Sequence, residues 1–409
     1  MWKKIMILGF LCLPSAHAED DNVEVSDTIA GKKTNSLDVK DEDNRSVDYE
    51  DGQTREYPDR IYEGAEWLEM SPEFVWHCWL VMESLYKRDF KQLDQVTKTV
   101  KRKFPRSGIV PTARALKWQV LMLENFDFRY EKEYNEAFQR ARQELESAML
   151  TPGNDAWETF LLGAILGVDG IHSMRKEEWF AAINRGYEAM KNINRAKELA
   201  PGFIDSQLGD GLWLYWRSVI AMHVKGIPSF KDQRKEGIEM MENAEKNSAF
   251  LRPAASLALI YTWIEENKLV RAEKTALRLR EVYPDNVINL QVLGRIQLYR
   301  RKYTESEKTF KDIFRVAPKN ERVHYYLARL FLRKRAHTIA EKHMTKYLTF
   351  DLEKRHRAYA NYFLGRIHAR QKNWKEAEKA YKKAWKYGKI RNSQKLAKKM
   401  KKNALSEKK

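Results

Sequence analysis

Residues 287–320 read VINLQVLGRIQLYRRKYTESEKTFKDIFRVAPKN, a 34-residue stretch with two apolar helical patterns and a basic turn between them. Its marker residues lie at fixed places of the unit: Leu293 (7), Gly294 (8), Tyr303 (17), Phe310 (24) and Pro318 (32). Two antiparallel helices cross closely where one of them offers a small residue such as Gly294. Pro318 ends the second helix because proline has no amide donor and clashes with the preceding turn. The stretch therefore predicts a tightly crossed helical hairpin.

The unit recurs in register. Pro253–Asn286 precedes the stretch, Glu321–Lys354 follows it, and a fourth unit starts at Ala358 after three extra residues. Small residues return at places 8 and 20: Ala272, Ala328, Ala340, Gly365 and Ala377. The departures are Ile260 at place 8, and Leu352 and Lys389 where the proline is usual. Four copies in phase predict an array of stacked hairpins.

This unit resembles the tetratricopeptide repeat (TPR), and the chain resembles exported TPR proteins of bacterial envelopes. The resemblance implies an all-α, TPR-type helical-hairpin solenoid of about seven to eight helix pairs. We assign divergent TPR-like repeats with insertions to residues 61–252, beginning with a capping unit at Phe74–Ser107, and four TPR repeats to residues 253–391. Charged residues make up 32% of the chain, with only 18 Gly and 11 Pro in 409 residues, which suits stacked amphipathic helices.

Residues 1–18 have the pattern of a signal peptide. Lys3 and Lys4 precede the apolar run Ile5–Leu13, and Ala16-His17-Ala18 is a small-x-small cleavage site. Nine apolar residues are too few to cross a bilayer, which takes roughly 20. We expect an exported, periplasmic protein, with secretion or a lipid anchor on Cys12 as the alternatives.

Charge divides the rest of the chain. Residues 19–60 hold 14 acidic and 6 basic residues, a net charge of −8, within a chain of net charge +18. Such a polar stretch buries too little apolar surface to fold alone, so we predict an acidic disordered tail. Residues 392–409 form a basic C-terminal tail, expected to be a solvated helix that caps the array, with contact to an acidic surface or anionic lipid as the alternative.

The TPR resemblance implies that places 2, 5, 9, 12 and 13 of each unit line a concave groove. Arginine recurs at place 9 in three consecutive units, with tyrosine or glutamine at place 5. The predicted partner-binding residues are Gln291, Arg295, Tyr299, Tyr325, Arg329, Arg333, Tyr362, Arg366 and Arg370. Because a guanidinium presents a planar fork of donors to carboxylates, the groove is expected to hold a protein or acidic peptide. The alternative is that these arginines pair with Asp or Glu of neighbouring helices. The acidic tail 19–60 is a candidate ligand of the groove within the same chain.

No catalytic or metal-binding spacing is evident. The chain has no His-Glu-x-x-His helix, no Gly-x-Ser-x-Gly elbow and no Cys-x-x-Cys pair. The glycine-rich stretch Gly163–Gly170 lacks a phosphate-loop ending, so we interpret it as close helix packing and a turn. We therefore predict a non-enzymatic scaffold without catalytic residues, metal or cofactor. Two alternatives stay open: an enzyme with a pocket in residues 157–250, and a binder of nucleic acid or lipid head groups. Export argues against nucleic acid, and membrane contact is expected to be peripheral at most.

Overall fold

The structure is a computed structural model that describes residues 64–150, 155–223, 231–390 and 392–407. Within those residues all regular structure is helical. The predicted signal peptide and acidic tail lie outside the described residues. The predicted all-α solenoid of hairpins is confirmed.

Within the described ranges, eight helical hairpins follow one another. A short 3-10 helix, Ala65–Leu68, precedes them, and a single helix follows them. The helices pair as α1 (Pro72–Tyr86) with α2 (Phe90–Lys103), α3 (Ile109–Asn125) with α4 (Glu131–Ala148), α5 (Ala156–Arg175) with α6 (Trp179–Leu199), α7 (Ser206–His223) with α8 (Arg234–Asn247), α9 (Arg252–Glu265) with α10 (Leu269–Val282), α11 (Val287–Tyr299) with α12 (Tyr303–Val316), α13 (Arg322–Arg333) with α14 (His337–Leu348) and α15 (Lys354–Arg370) with α16 (Trp374–Gly388), before the terminal α17 (Ser393–Ser406). We number the hairpins one to eight and call the segments between hairpins linkers.

The hairpin turns that the structure describes share one repeated geometry. A non-glycine residue adopts the left-handed conformation, and the next residue donates its N–H to a carbonyl five residues back, as Lys302 does to Gln297 at 2.9 Å. This bond satisfies a carbonyl that the end of the first helix would otherwise leave unpaired. The left-handed residues are Arg88, Phe126, Glu177, Asn267, Arg301, Arg335 and Lys372. Their side chains therefore occupy equivalent places along one edge of the solenoid, with the turn of the fourth hairpin outside the described residues.

The small residues at the helix crossings are fully enclosed. Ala272, Ala340 and Ala377, all at place 20, are 0% exposed. A Cβ atom on Gly365 would lie 2.8 Å from the Tyr381 ring, at the crossing of α15 and α16. In the middle of the chain, Gly163 packs against Ile193 and the Ala189 carbonyl. The predicted turn at Gly163–Gly170 is wrong, because that stretch is helical throughout and lies inside α5.

The first three hairpins contact the linkers of the last three, which closes the solenoid edge to edge. Asn286, before hairpin six, donates to the Tyr86 carbonyl in hairpin one at 3.2 Å. Asn320, before hairpin seven, donates to the Glu124 carbonyl in hairpin two at 2.7 Å. Arg355, at the start of hairpin eight, forms an ion pair with Glu177 in hairpin three. Each contact joins a hairpin to the linker five hairpins later, so about five hairpins complete one superhelical turn. We call this line of contacts the seam.

Two helical glycines allow a matched test of the hairpin crossings. Gly365→Ala forces a methyl group against the Tyr381 ring and is expected to destabilise the chain by about 1–3 kcal/mol, because a packed core resists added volume. Gly167→Ala in α5 meets nothing within 4 Å. It should stabilise the chain by up to about 1 kcal/mol, because alanine favours helix over glycine. Chemical denaturation of both variants measures the difference, and equal effects of the two changes would contradict the packing argument.

Candidate partner-binding surface

The nine predicted groove residues do not form one open ladder. Four of them are buried, namely Gln291, Arg295, Tyr325 and Arg329, at 0–7% exposure. Three are half-buried, namely Tyr299, Tyr362 and Arg366, and only Arg333 and Arg370 are exposed. The structure therefore places most of this set inside the solenoid.

The seam explains why the predicted groove is closed at hairpin six. Gln291 donates its side-chain amide to the Glu124 carbonyl, and Asn320 donates to the same oxygen. The end of α3 thus occupies the position expected for a ligand beside Gln291. No local pattern in residues 287–320 predicts this contact, because it joins residues 167 positions apart in the chain.

The arginines and tyrosines expected to bind a partner instead stack on each other and on neighbouring rings. The Arg329 guanidinium lies 4.8 Å from the Phe363 ring centroid and 5.5 Å from that of Tyr325. Its Nη2 also donates to the Tyr299 hydroxyl at 3.4 Å. Arg322, at place 2, is 3% exposed and lies between the rings of Tyr325 and Phe126. Such desolvated cation–π contacts contribute about 2 kcal/mol, which gives these side chains a structural role.

A second ladder holds successive hairpins together, and the sequence reasoning missed it. Glutamate at place 21 of one unit meets place 14 of the next unit. Glu273 pairs with Arg300, Glu307 with Lys334 at 2.8 Å, and Glu341 accepts from Gln371 at 2.9 Å. The sequence signal that predicts these contacts is the recurrence of glutamate at place 21 every 34 residues. The second ladder shows that carboxylates of neighbouring units bind side chains at place 14 in the turn, two of which are cations.

The best-defined ion pair of the seam joins Arg88 to Glu124. Nε and Nη2 of Arg88 donate to the two carboxylate oxygens at 2.8 and 3.1 Å, and Nη1 donates to the Val316 carbonyl at 3.3 Å. The Glu124 side chain is 2% exposed. Burial raises the pKa of Glu124, and Arg88 opposes that rise. One arginine therefore connects hairpins one, two and six.

Removing Arg88 should open the seam. Arg88→Met leaves a buried carboxylate without its cation, and the expected cost is about 3 kcal/mol or more in the free energy of unfolding. Arg88→Met/Glu124→Met should recover much of that loss. The control is Lys103→Met, which removes an ion pair to Glu73 whose side chains are 43% and 40% exposed and should cost under about 1 kcal/mol. A double variant as unstable as Arg88→Met would contradict the pairing.

A second, half-buried carboxyl group, Glu353, lies just before α15. Burial raises its pKa to about 7 from the ordinary 4.5. Arg175 and Arg322 oppose the rise, while Asp127 and Glu131 add to it. The folded chain therefore binds the Glu353 proton more tightly than the unfolded chain does.

Because the folded pKa is raised, the stability contribution of Glu353 is complete below about pH 4.5 and is lost as the pH rises through about 7. Glu353→Gln keeps the neutral form at every pH. Between pH 5 and pH 8 the native chain should lose more stability than this variant, by up to about 1 kcal/mol, since Glu353 is only partly buried and solvent screens its charge. Thermal unfolding at several pH values measures both curves, and parallel curves would show that Glu353 does not titrate in this range.

The equivalent turns of hairpins six to eight carry exposed basic residues. Their left-handed residues Arg301, Arg335 and Lys372 are exposed, and so are Arg333 and Arg370 beside them. We call these five residues the open edge. In hairpins one to three the corresponding turns are docked in the seam. In hairpin five the turn carries Glu265 and Glu266 instead, so the basic character begins at hairpin six.

The described residues offer little for chemistry. A surface pocket of about 230 Å³ lies between α2 and α3, and an ion pair of Lys117 with Asp94 at 3.0 Å closes part of it. This pocket is outside the section 157–250 in which an enzyme site was considered. Across residues 64–150, 155–223, 231–390 and 392–407, no three His, Cys, Asp or Glu side chains are grouped to hold a metal ion. None of the described helices has the length and apolarity that a membrane span requires.

Comparison with known proteins supports the repeat assignment in the C-terminal half. Residues 292–351 and 350–386 match the family model described as tetratricopeptide repeat. No curated protein matches the chain. Among solved structures, it is similar to the crystal structure of the APC/C hetero-tetramer Cut9-Hcn1, with 10% identity and a TM-score of 0.45. That match covers 83% of this chain and 66% of the matched chain, so this chain spans just under two thirds of that protein. Residues 292–386 are thus tetratricopeptide repeats, carried within a TPR-like helical solenoid.

Proposed function

We propose that this chain is a non-enzymatic scaffold of the cell envelope that binds an acidic segment of a partner protein along its open edge. The observation that carries the proposal is the exposure of Arg301, Arg335 and Lys372 at equivalent turns of three consecutive hairpins. TPR-like solenoids are scaffolds for protein interaction, and an extended surface of repeated turns suits an extended ligand.

The seam supplies a precedent for how such turns bind. Arg88 holds the left-handed place in hairpin one, where it donates to a carboxylate and to a carbonyl at the end of α12. Arg301, Arg335 and Lys372 hold the same place in turns of the same geometry. An acidic segment lying across these turns would offer them the same acceptors. Each exposed charge contact contributes at most about 1 kcal/mol, so several acting together are needed for micromolar affinity.

Arg333 and Arg370 are the predicted groove residues that are exposed beside these turns. Arg366 and Tyr362, at half exposure on the same hairpin as Arg370, flank the edge. The buried Gln291, Arg295, Tyr325 and Arg329 act indirectly in this proposal, because they hold the hairpins whose turns form the edge. Substituting them should change the stability of the chain more than its affinity for the acidic segment.

The acidic stretch 19–60, with its net charge of −8, is a competing ligand within the same chain. In this proposal it binds the open edge weakly and in a salt-dependent manner until a partner displaces it. Export through the signal pattern 1–18 would place the scaffold in the envelope, and an N-terminus at Glu19 in mass spectra of the native protein is the result that this part requires.

Charge reversal on the open edge should abolish binding of an acidic peptide. The probe is a labelled peptide of residues 38–51, and the test variant is Arg301→Glu/Arg335→Glu/Lys372→Glu. Its affinity should fall at least about tenfold at low salt, since three favourable contacts become repulsive. The control variant is Lys98→Glu/Lys191→Glu/Lys274→Glu, which makes the same change in net charge at exposed places on α2, α6 and α10. Fluorescence anisotropy measures all three proteins.

The outcomes separate the parts of the proposal. Equal loss in test and control variants would mean that net charge, and not the open edge, binds the peptide. Unchanged affinity after deletion of residues 19–60 would end the idea of competition within the chain but leave the edge intact. Retention on DNA that depends on the same three residues, without peptide binding, would favour the nucleic-acid alternative.

A further inference from the structure

A second basic surface lies at the C-terminal end of the solenoid, on the outer faces of α16 and α17. Exposed lysines follow helical spacing on each helix, so they share one face of it. We call this set the terminal lysine patch: Lys375, Lys379, Lys382 and Lys386 on α16, and Lys395, Lys398, Lys399 and Lys402 on α17. α17 contains no acidic residue between Ser393 and Ser406.

Packing of the two helices fixes the outward direction of these lysines. Ala377 and Tyr381 of α16 form one buried apolar cluster with Ala397 and Met400 of α17. Because these small and apolar side chains are buried against each other, the lysine-bearing face of each helix is left on the outside. The terminal helix therefore caps the array and presents charge on its free face.

The fold itself makes little use of this charge. Glu378 stands at place 21 of the last unit, where earlier units receive a side chain from the next hairpin. Here its ion pair, at 2.6 Å, is with Lys382 of its own helix. Within the residues that the structure describes, the lysines of α17 have no carboxylate at ion-pair distance. Mutual repulsion among such lysines weakens a helix. We therefore assign these lysines a role outside the fold.

We propose that the terminal lysine patch binds the anionic head groups of a lipid bilayer surface and holds the solenoid there as a peripheral protein. The α17 face offers ammonium groups only, without arginine forks or aromatic rings. It therefore lacks the arginines that bind a carboxylate through two hydrogen bonds and the aromatic rings that stack on nucleic-acid bases. Compact charges on flexible stems suit a diffuse anionic surface, where each lysine strengthens partition about fivefold.

An apolar contact on the same face favours a bilayer over a soluble polyanion. Leu405 is 59% exposed, and it follows Lys398 by seven residues and Lys402 by three, which places all three on one side of α17. At a bilayer surface the lysines can meet head groups while Leu405 enters the acyl boundary, as in other interfacial helices. This surface is separate from the open edge and does not depend on the proposed peptide binding.

Vesicle binding tests the proposal directly. The purified chain is sedimented with vesicles of pure phosphatidylcholine, or with vesicles containing phosphatidylglycerol, at low and high salt. We expect salt-sensitive binding to the phosphatidylglycerol vesicles alone. Lys395→Glu/Lys398→Glu/Lys402→Glu should weaken that partition at least about tenfold. The control Lys98→Glu/Lys191→Glu/Lys274→Glu, with the same net charge, should retain it.

A second variant distinguishes lipid from other polyanions. Leu405→Ser should weaken vesicle partition several-fold and leave binding of polyglutamate unchanged, because only the bilayer offers an apolar environment. Lys395→Gln/Lys398→Gln/Lys402→Gln repeats the test without introducing acidic groups, and circular dichroism confirms that each variant is folded. Equal partition of patch and control variants overturns the proposal. So does patch-dependent binding of polyglutamate or DNA in the absence of vesicle binding.

Discussion

The close crossing of the two helices in each hairpin is the constraint on which the rest of this structure depends. Where Gly365 meets Tyr381, there is no space for even one added methyl group. The alanines at place 20 are equally enclosed. Small residues at the crossings bring the helices close, and close helices let each hairpin rest on the next with a fixed rotation. Repeated over five hairpins, this rotation brings hairpin one back over the linker before hairpin six.

Contact between the first and the last hairpins determines which side chains are buried in the interior and which are exposed. Once the turn of hairpin two lies beside α11 and α13, Gln291 binds the Glu124 carbonyl and Arg322 is enclosed by Phe126 and Tyr325. A shallower superhelix would leave the same residues on an open concave face. Arginine and tyrosine at groove places can therefore form a filled interior as readily as a ligand site. The difference lies in the curvature of the whole array, which no single repeat contains.

Much of the fold could be predicted from the sequence because repeats are local. Gly294 and Phe310, sixteen residues apart, already predict a crossed hairpin, and the 34-residue period predicts how hairpins stack. The seam could not be predicted in this way, since Arg88 and Val316 are 228 residues apart and their contact depends on the summed rotation of five hairpins. For the candidate site, the sequence located the exposed Arg333 and Arg370, but it gave equal weight to Arg295 and Arg329, which are buried. The glutamates at place 21 recur with the period of the repeat, but only the groove places were considered as contact positions.

The distribution of charge follows the same geometry. Interior carboxylates such as Glu124 and Glu273 are matched by Arg88 and Arg300, because a buried charge without a partner is costly. Those matched pairs add nothing to the net charge of +18. Exposed cations are found at the turns of hairpins six to eight, where Arg301, Arg335 and Lys372 hold the left-handed places, and on α17, which contains no acidic residue. An acidic segment and an anionic layer are therefore the ligands that we propose for these two exposed cationic surfaces.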